Sequence, residues 1–91
     1  MSVEIVEVFE DSESESIESM LIETVDATGE KRVYRAGLGP NLIGSEYLVE
    51  YRQIYGPEGS RAHTTDAVSE AAKAYWSNAG HSVFGAEEVD Q

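Results

Sequence analysis

At 91 residues the chain has room for one small domain and not for two. Hydrophobic residues make up 41% and charged residues 26%, a globular rather than a disordered balance, and the lack of cysteine excludes disulfides and thiolate metal sites. The net charge of −12 sits at one end of the sequence: residues 1–30 hold eight Glu and two Asp with no Lys or Arg, whereas residues 31–91 hold six Glu and two Asp against six cations. Such a field repels nucleic acid and anionic lipid and attracts basic protein surfaces. No run approaches the roughly 18 apolar residues of a membrane span, and the first residues lack the positive region of a secretory signal. The compartment expected from these features is the cytoplasm, including that of a host cell.

In chain order, "VEIVEVF" (Val3 to Phe9) is rich in β-branched residues and reads as a strand. Strict alternation gives it one face of Val3, Ile5, Glu7 and Phe9 and another of Glu4, Val6, Val8 and Glu10, neither cleanly polar. "EDSESES" follows as a solvated turn. The segment 12–25 has two readings. Ile17, Met20, Leu21, Thr24 and Val25 fall at helical spacing behind a Ser12–Glu15 capping box. Against that, "DATGEK" with Gly29 is a hairpin signal between two β-rich runs, and "RVYR" alternates as a half-buried strand does. The hairpin is preferred.

"AGLGPNLIGS" reads as a loop whose Leu42 and Ile43 either plug the core or project. "EYLVEYRQIYG" is the clearest strand, with Tyr47, Val49, Tyr51 and Tyr55 on one face and Glu46, Glu50 and Arg52 on the other. A helix follows, capped by Thr64 or Thr65, with Asp66 near its positive end and Gly80 as its stop. Val68, Ala71, Ala72, Tyr75 and Ala79 form its apolar stripe. "HSVFG" adds a short last strand. The expected fold is α+β: a small antiparallel sheet of about four strands in a meander, with one C-terminal helix packed on one face. Residues 1–85 form a single domain with an acidic N-terminal half, and residues 86–91 a flexible acidic tail.

Chemical signatures are weak. Ser60, His63 and Asp66 are triad residue types, but three residues within seven positions of a loop–helix junction do not supply nucleophile–base–orienter geometry. His63 and His81 flank the helix and lack further ligands nearby for a metal. The glycines of "GLGPNLIG" match neither a Walker loop nor a dinucleotide fingerprint. No cofactor, metal or catalytic residue is assigned. Trp76 adjoins Tyr75, so at least one of them leaves the main stripe, as a boundary residue or as an exposed anchor of the kind enriched in interfaces.

"IVEV" followed by "FEDSESES" resembles a SUMO-interacting motif over Ile5 to Glu15: an aliphatic β-forming core with acids and serines after it. That resemblance implies strand addition to a sheet edge, with the acids facing a basic rim. Such motifs lie in flexible segments, whereas this strand is expected within the domain.

Three accounts of the acidic end compete. A salt-adapted surface, as in a haloarchaeal small acidic adaptor or regulatory protein, would spread its charge and does not explain the preference for Glu over Asp, fourteen to four. An idle solvated surface would leave cross-strand carboxylates repelling one another. The preferred account makes the acids the working part: carboxylates about 6.8 Å apart along a strand face form a row that stands in for a phosphate backbone. In class, the chain resembles phage-encoded inhibitors such as anti-CRISPR proteins and other DNA mimics. The expected function is therefore a non-enzymatic inhibitor that blocks a basic nucleic-acid-binding surface, with no direct nucleic-acid or membrane contact. The partner-binding residues expected are Glu4, Glu7, Glu10, Asp11, Glu13, Glu15, Glu18 and Glu23.

Overall fold

The computed structural model describes residues 1–9, 18–39, 46–57 and 62–89. Six elements follow in order: β1 (Ser2–Phe9), β2 (Glu18–Val25), β3 (Lys31–Leu38), β4 (Tyr47–Tyr55), α1 (Ala62–Asn78) and β5 (Val83–Glu88). The strands form one sheet in the order β1-β2-β3-β4-β5, antiparallel up to β4, with β5 added parallel to β4. The α+β class therefore holds, with five strands in place of about four. The helix packs on one face near the C-terminal end as expected, and it also supplies the crossover that a parallel neighbour for β4 requires. β5 also takes in Ala86 to Glu88, which the sequence reading left in the tail.

Segment 18–25 is a strand, not a helix, and its partner is β3 over the full length from Glu18↔Leu38 to Val25↔Lys31. The turn explains the choice. Asp26 Oδ1 accepts from the Thr28 hydroxyl (2.6 Å), the Thr28 N–H (2.9 Å) and the Glu30 N–H (3.0 Å), while Oδ2 accepts from Arg32 Nη1 at 3.2 Å. Gly29, at φ +87°, supplies the left-handed residue that closes the loop, and its N–H donates to the Asp26 carbonyl. β3 continues through Ala36, Gly37 and Leu38, which were expected in a loop.

Met20, Ile22, Tyr34, Ala36, Leu38, Val49 and Tyr51 point to one side of the sheet and meet Val68, Ala72 and Trp76 of α1 in the core. The helix stripe is thus Thr64–Val68–Ala72–Trp76, one step round from the expected one, and Ala79 is exposed. Trp76 is fully buried and is no surface anchor. Burying about 200 Å² of its surface contributes roughly 5 kcal/mol at ~25 cal/mol/Å². That exceeds the ~1–3 kcal/mol cost of an indole N–H left unpaired, and its Nε1 has no hydrogen-bond partner among the described residues. Thr64 and Thr65 lie inside the first turn, so neither is the cap. At the other end the expected stop holds. Gly80 adopts φ +98°, and the N–H groups of Gly80 and His81 donate to the Ser77 and Trp76 carbonyls, a Schellman closure.

Among the described residues the sheet has three register shifts; one, between Tyr47 and Leu48, passes over Phe84 of β5, and the other two redirect side chains on β1 and β4. Between Ile5 and Glu7 the β1 register shifts, and Val6 is the extra residue of a bulge. Between Val33 and Tyr34 the β3–β4 register shifts as well, which sends Tyr55 to the opposite face from Val49 and Tyr51, where it is 62% exposed.

Two measurements check these turns. A Cβ on Gly56 (φ +112°) would lie 2.7 Å from the Lys31 carbonyl oxygen and 2.9 Å from Arg32 Cγ, whereas one on Gly29 meets nothing within 4 Å. Gly56→Ala is expected to cost more than Gly29→Ala in urea unfolding, by about 1–2 kcal/mol beyond the shared left-handed strain of ~1 kcal/mol. Equal losses would refute the close approach at Gly56. Asp26 is held well below the usual carboxylate range, chiefly by the Thr28 hydroxyl. Burial opposes this, and the Glu30 and Thr28 N–H groups and Arg32 add to it. A depressed folded-state value means that this stabilisation is complete above the unfolded value near 4 and is lost as pH falls below it. Acid titration of the fold should therefore show a shallower loss below about pH 4 in Asp26→Asn than in the parent.

Candidate protein-binding surface on the open sheet face

Among the described residues, no helix lies on the side of the sheet away from α1. Because Met20, Ile22 and Thr24 point inward, Ser19, Leu21, Glu23 and Val25 point outward from β2. Pairing then assembles outward rows across the sheet. One row is Glu7, Leu21, Arg35 and Arg52; a second is Glu4, Glu23, Val33 and Tyr55; a third is Phe9, Ser19, Gly37, Glu50 and Glu87.

The β1 bulge creates the acidic margin of this face. In an unbroken strand Glu4 and Glu7, three positions apart, would point to opposite sides. With Val6 inserted, Glu4 pairs with Glu23 and Glu7 with Leu21, two residues on, so both glutamates face outward in adjacent rows. They are about 7 Å apart by strand geometry. The regular alternation expected for β1 is thus replaced: Val3, Ile5 and Val8 pair with inward residues, and Glu4, Glu7 and Phe9 turn outward.

Of the expected partner-binding residues, Glu4, Glu7 and Glu23 come together here. Glu18 is half-buried at the start of β2, opposite Leu38 and off this face. Glu10, Asp11, Glu13 and Glu15 lie outside the described residues, as do Ser12, Ser60, Leu42 and Ile43. Glu23 is partly neutralised: Lys31 Nζ on β3 lies 3.3 Å from its carboxylate, with both side chains solvent-accessible. Within the β1–β2 ribbon itself Glu4 faces Glu23 with no lysine between them, and the relief at Glu23 comes from the next strand. Such a pair contributes about 0–1 kcal/mol. Glu4 and Glu7 are exposed, and no cation stands on β1.

Two arginines, not expected from the sequence, stand on the same face. Arg35 and Arg52 pair directly across β3 and β4. Arg35 donates to Ser19 Oγ at 3.2 Å and lies over the Phe9 ring, 5.4 Å from its centroid. Acid is also carried elsewhere: Glu46, Asp66, Glu70 and Glu88 are exposed on β4, α1 and β5 or beside them.

His63 and His81 stand at opposite ends of α1, separated by roughly 23 Å at 1.5 Å per residue. His81 instead packs edge-on against Tyr47, with ring centroids 5.5 Å apart. Among the described residues there is no group of three metal-ligating side chains, and no helix is long and apolar enough to cross a membrane. Comparison with protein-family models, curated proteins and solved structures returned no match.

Proposed function

We propose that the chain is a non-enzymatic protein-binding domain whose acidic margin docks on a basic protein surface of the kind that holds nucleic acid. By occupying that surface it acts as an inhibitor through charge mimicry. The observation that carries this reading is the β1 bulge, which aligns Glu4 and Glu7 beside Glu23 on the face away from α1, with no cation on their strand. The following segment, "EDSESES", continues the same sign of charge. Repulsion between the aligned carboxylates burdens the free protein and becomes attraction against a cationic groove.

A second reading, a salt-adapted surface on an adaptor of unrelated role, draws support from the exposed carboxylates on β4, α1 and β5. Salt separates the two. An inhibitor of this kind is folded at about 0.1 M salt and its complexes weaken as salt rises, whereas a salt-adapted fold gains stability towards several molar.

The test is an affinity capture from cell extract at low and high salt, with elution by duplex DNA. Proteins released by DNA and lost with Glu4→Lys/Glu7→Lys support the proposal, with an expected loss of about tenfold or more in affinity for the double reversal. Retention that survives both the DNA and the double reversal would remove it.

A further inference from the structure

Opposite the acidic margin, the open face carries Arg35 and Arg52 on adjacent strands. Across the row Glu7–Leu21–Arg35–Arg52 the face runs from negative through aliphatic to positive. Arg35 and Arg52 stand opposite one another, an arrangement that costs stability in the isolated sheet. Arg35 is engaged by Ser19 and Phe9. The Arg52 side chain is exposed and makes no hydrogen bond or ion pair among the described residues. Beside this row, Val25, Val33 and Leu48 are half-buried and Tyr55 projects into solvent.

We infer that this face is self-complementary and that a second copy of the chain covers it. The charge pattern selects the geometry. A two-fold axis running across the strands would lay β1 on β1 and oppose the two acidic margins. An axis running along the strands, between β2 and β3, lays β1 on β4 of the second copy and keeps every row at its own level. Glu7 then faces Arg52 of the second copy, and its own Arg52 faces the Glu7 there, the reciprocal contact of an isologous dimer. Leu21 and Val33 lie beside the axis. Glu50 falls opposite Phe9, and Glu87 on β5 lies outside the overlap. Aligned sheets pack about 10 Å apart, a gap that a glutamate and an arginine side chain bridge together. The dimer shares Glu4 and Glu7 with the docking surface, so it would compete with a basic partner, but the inference does not rest on that reading.

Light-scattering mass measured from micromolar to millimolar concentration tests it. The expected result is a rise to twice the chain mass, with Glu7→Arg alone and Arg52→Glu alone each moving the midpoint to about tenfold higher concentration or beyond. The combined Glu7→Arg/Arg52→Glu variant should recover the parental midpoint. A monomer over the whole range overturns the inference, as does a dimer indifferent to the single reversals or one the double variant does not rescue. Circular dichroism checks that each variant is folded. Should a reversal unfold the chain, Glu7→Gln and Arg52→Gln read the same contact. Polylysine, added as a basic probe, distinguishes the two readings. Dimerisation without polylysine binding supports the self-complementary face and removes the docking one.

Discussion

One carboxylate sets the register on which the rest of the molecule depends. Asp26 accepts four hydrogen bonds from three residues of the β2–β3 turn and its flank, and its pair with Arg32 is almost wholly withdrawn from solvent. Strand side chains alternate with a period of two, so a slip of one residue would exchange the faces of β2. Met20, Ile22 and Thr24 would then face solvent while Leu21 and Glu23 entered the core. The same slip would carry β1 with it, because among the described strands β1 pairs with β2 alone. Fixing the hairpin therefore fixes both the core under α1 and the identity of the open face. Gly56 belongs to this constraint, since β4 can end against Lys31 and Arg32 only where no Cβ intervenes.

On that fixed register the bulge at Val6 acts as a local exception. It leaves Val3 and Ile5 packed against the core and reverses the facing of everything after them. The electrostatic cost is real. At a separation of about 5 Å, two carboxylates repel by about 1–3 kcal/mol at effective dielectrics of 80 to 20 before screening. Lys31 offsets part of this at Glu23. A bulge also has a benefit at this place: β1 is an edge, and a kinked, acidic edge resists pairing with stray strands despite exposed Val6 and Val8.

Where sequence pattern and local chemistry agreed, the elements were legible. β4 alternates, "DATGEK" carries both an Asp that can fold back on the turn and a Gly for the left-handed position, and Gly80 ends α1 as its type and position indicate. The ambiguity over 17–25 arose because Met20 and Thr24 satisfy both periods, and only the pairing with β3 resolves it. β5 was masked by composition: Glu87 and Glu88 resemble a tail, yet Ala86 packs against the core and pairing with β4 supplies the rest. The site was legible in charge and not in geometry. Glu4, Glu7 and Glu23 could be named from the absence of cations in residues 1–30, but nothing in "EIVEV" announces a bulge at a valine. Likewise, no residue type near Ile54 announces the shift that turns Tyr55 outward. Arg35 and Arg52 were overlooked because they are distant in sequence and meet only through the sheet.

Acid on α1 and β5 does not dilute the margin on β1, because distance separates their roles. At physiological ionic strength the potential of an exposed charge decays over about 8 Å. Layers of side chains and backbone set the helix side of the sheet apart from the open face by more than that, so Asp66 and Glu70 contribute to solubility and to long-range steering of any cationic body. Discrimination between partners must come from groups within reach of a docked surface. On the open face these include Glu4 and Glu7 at one margin and Arg52 on β4, with Glu50 exposed one row from Arg52. A basic groove engages the acidic margin at Glu4 and Glu7, and a surface bearing both signs in reversed order engages Arg52 as well. The spacing of the two signs, more than the total charge, therefore decides what this face can hold.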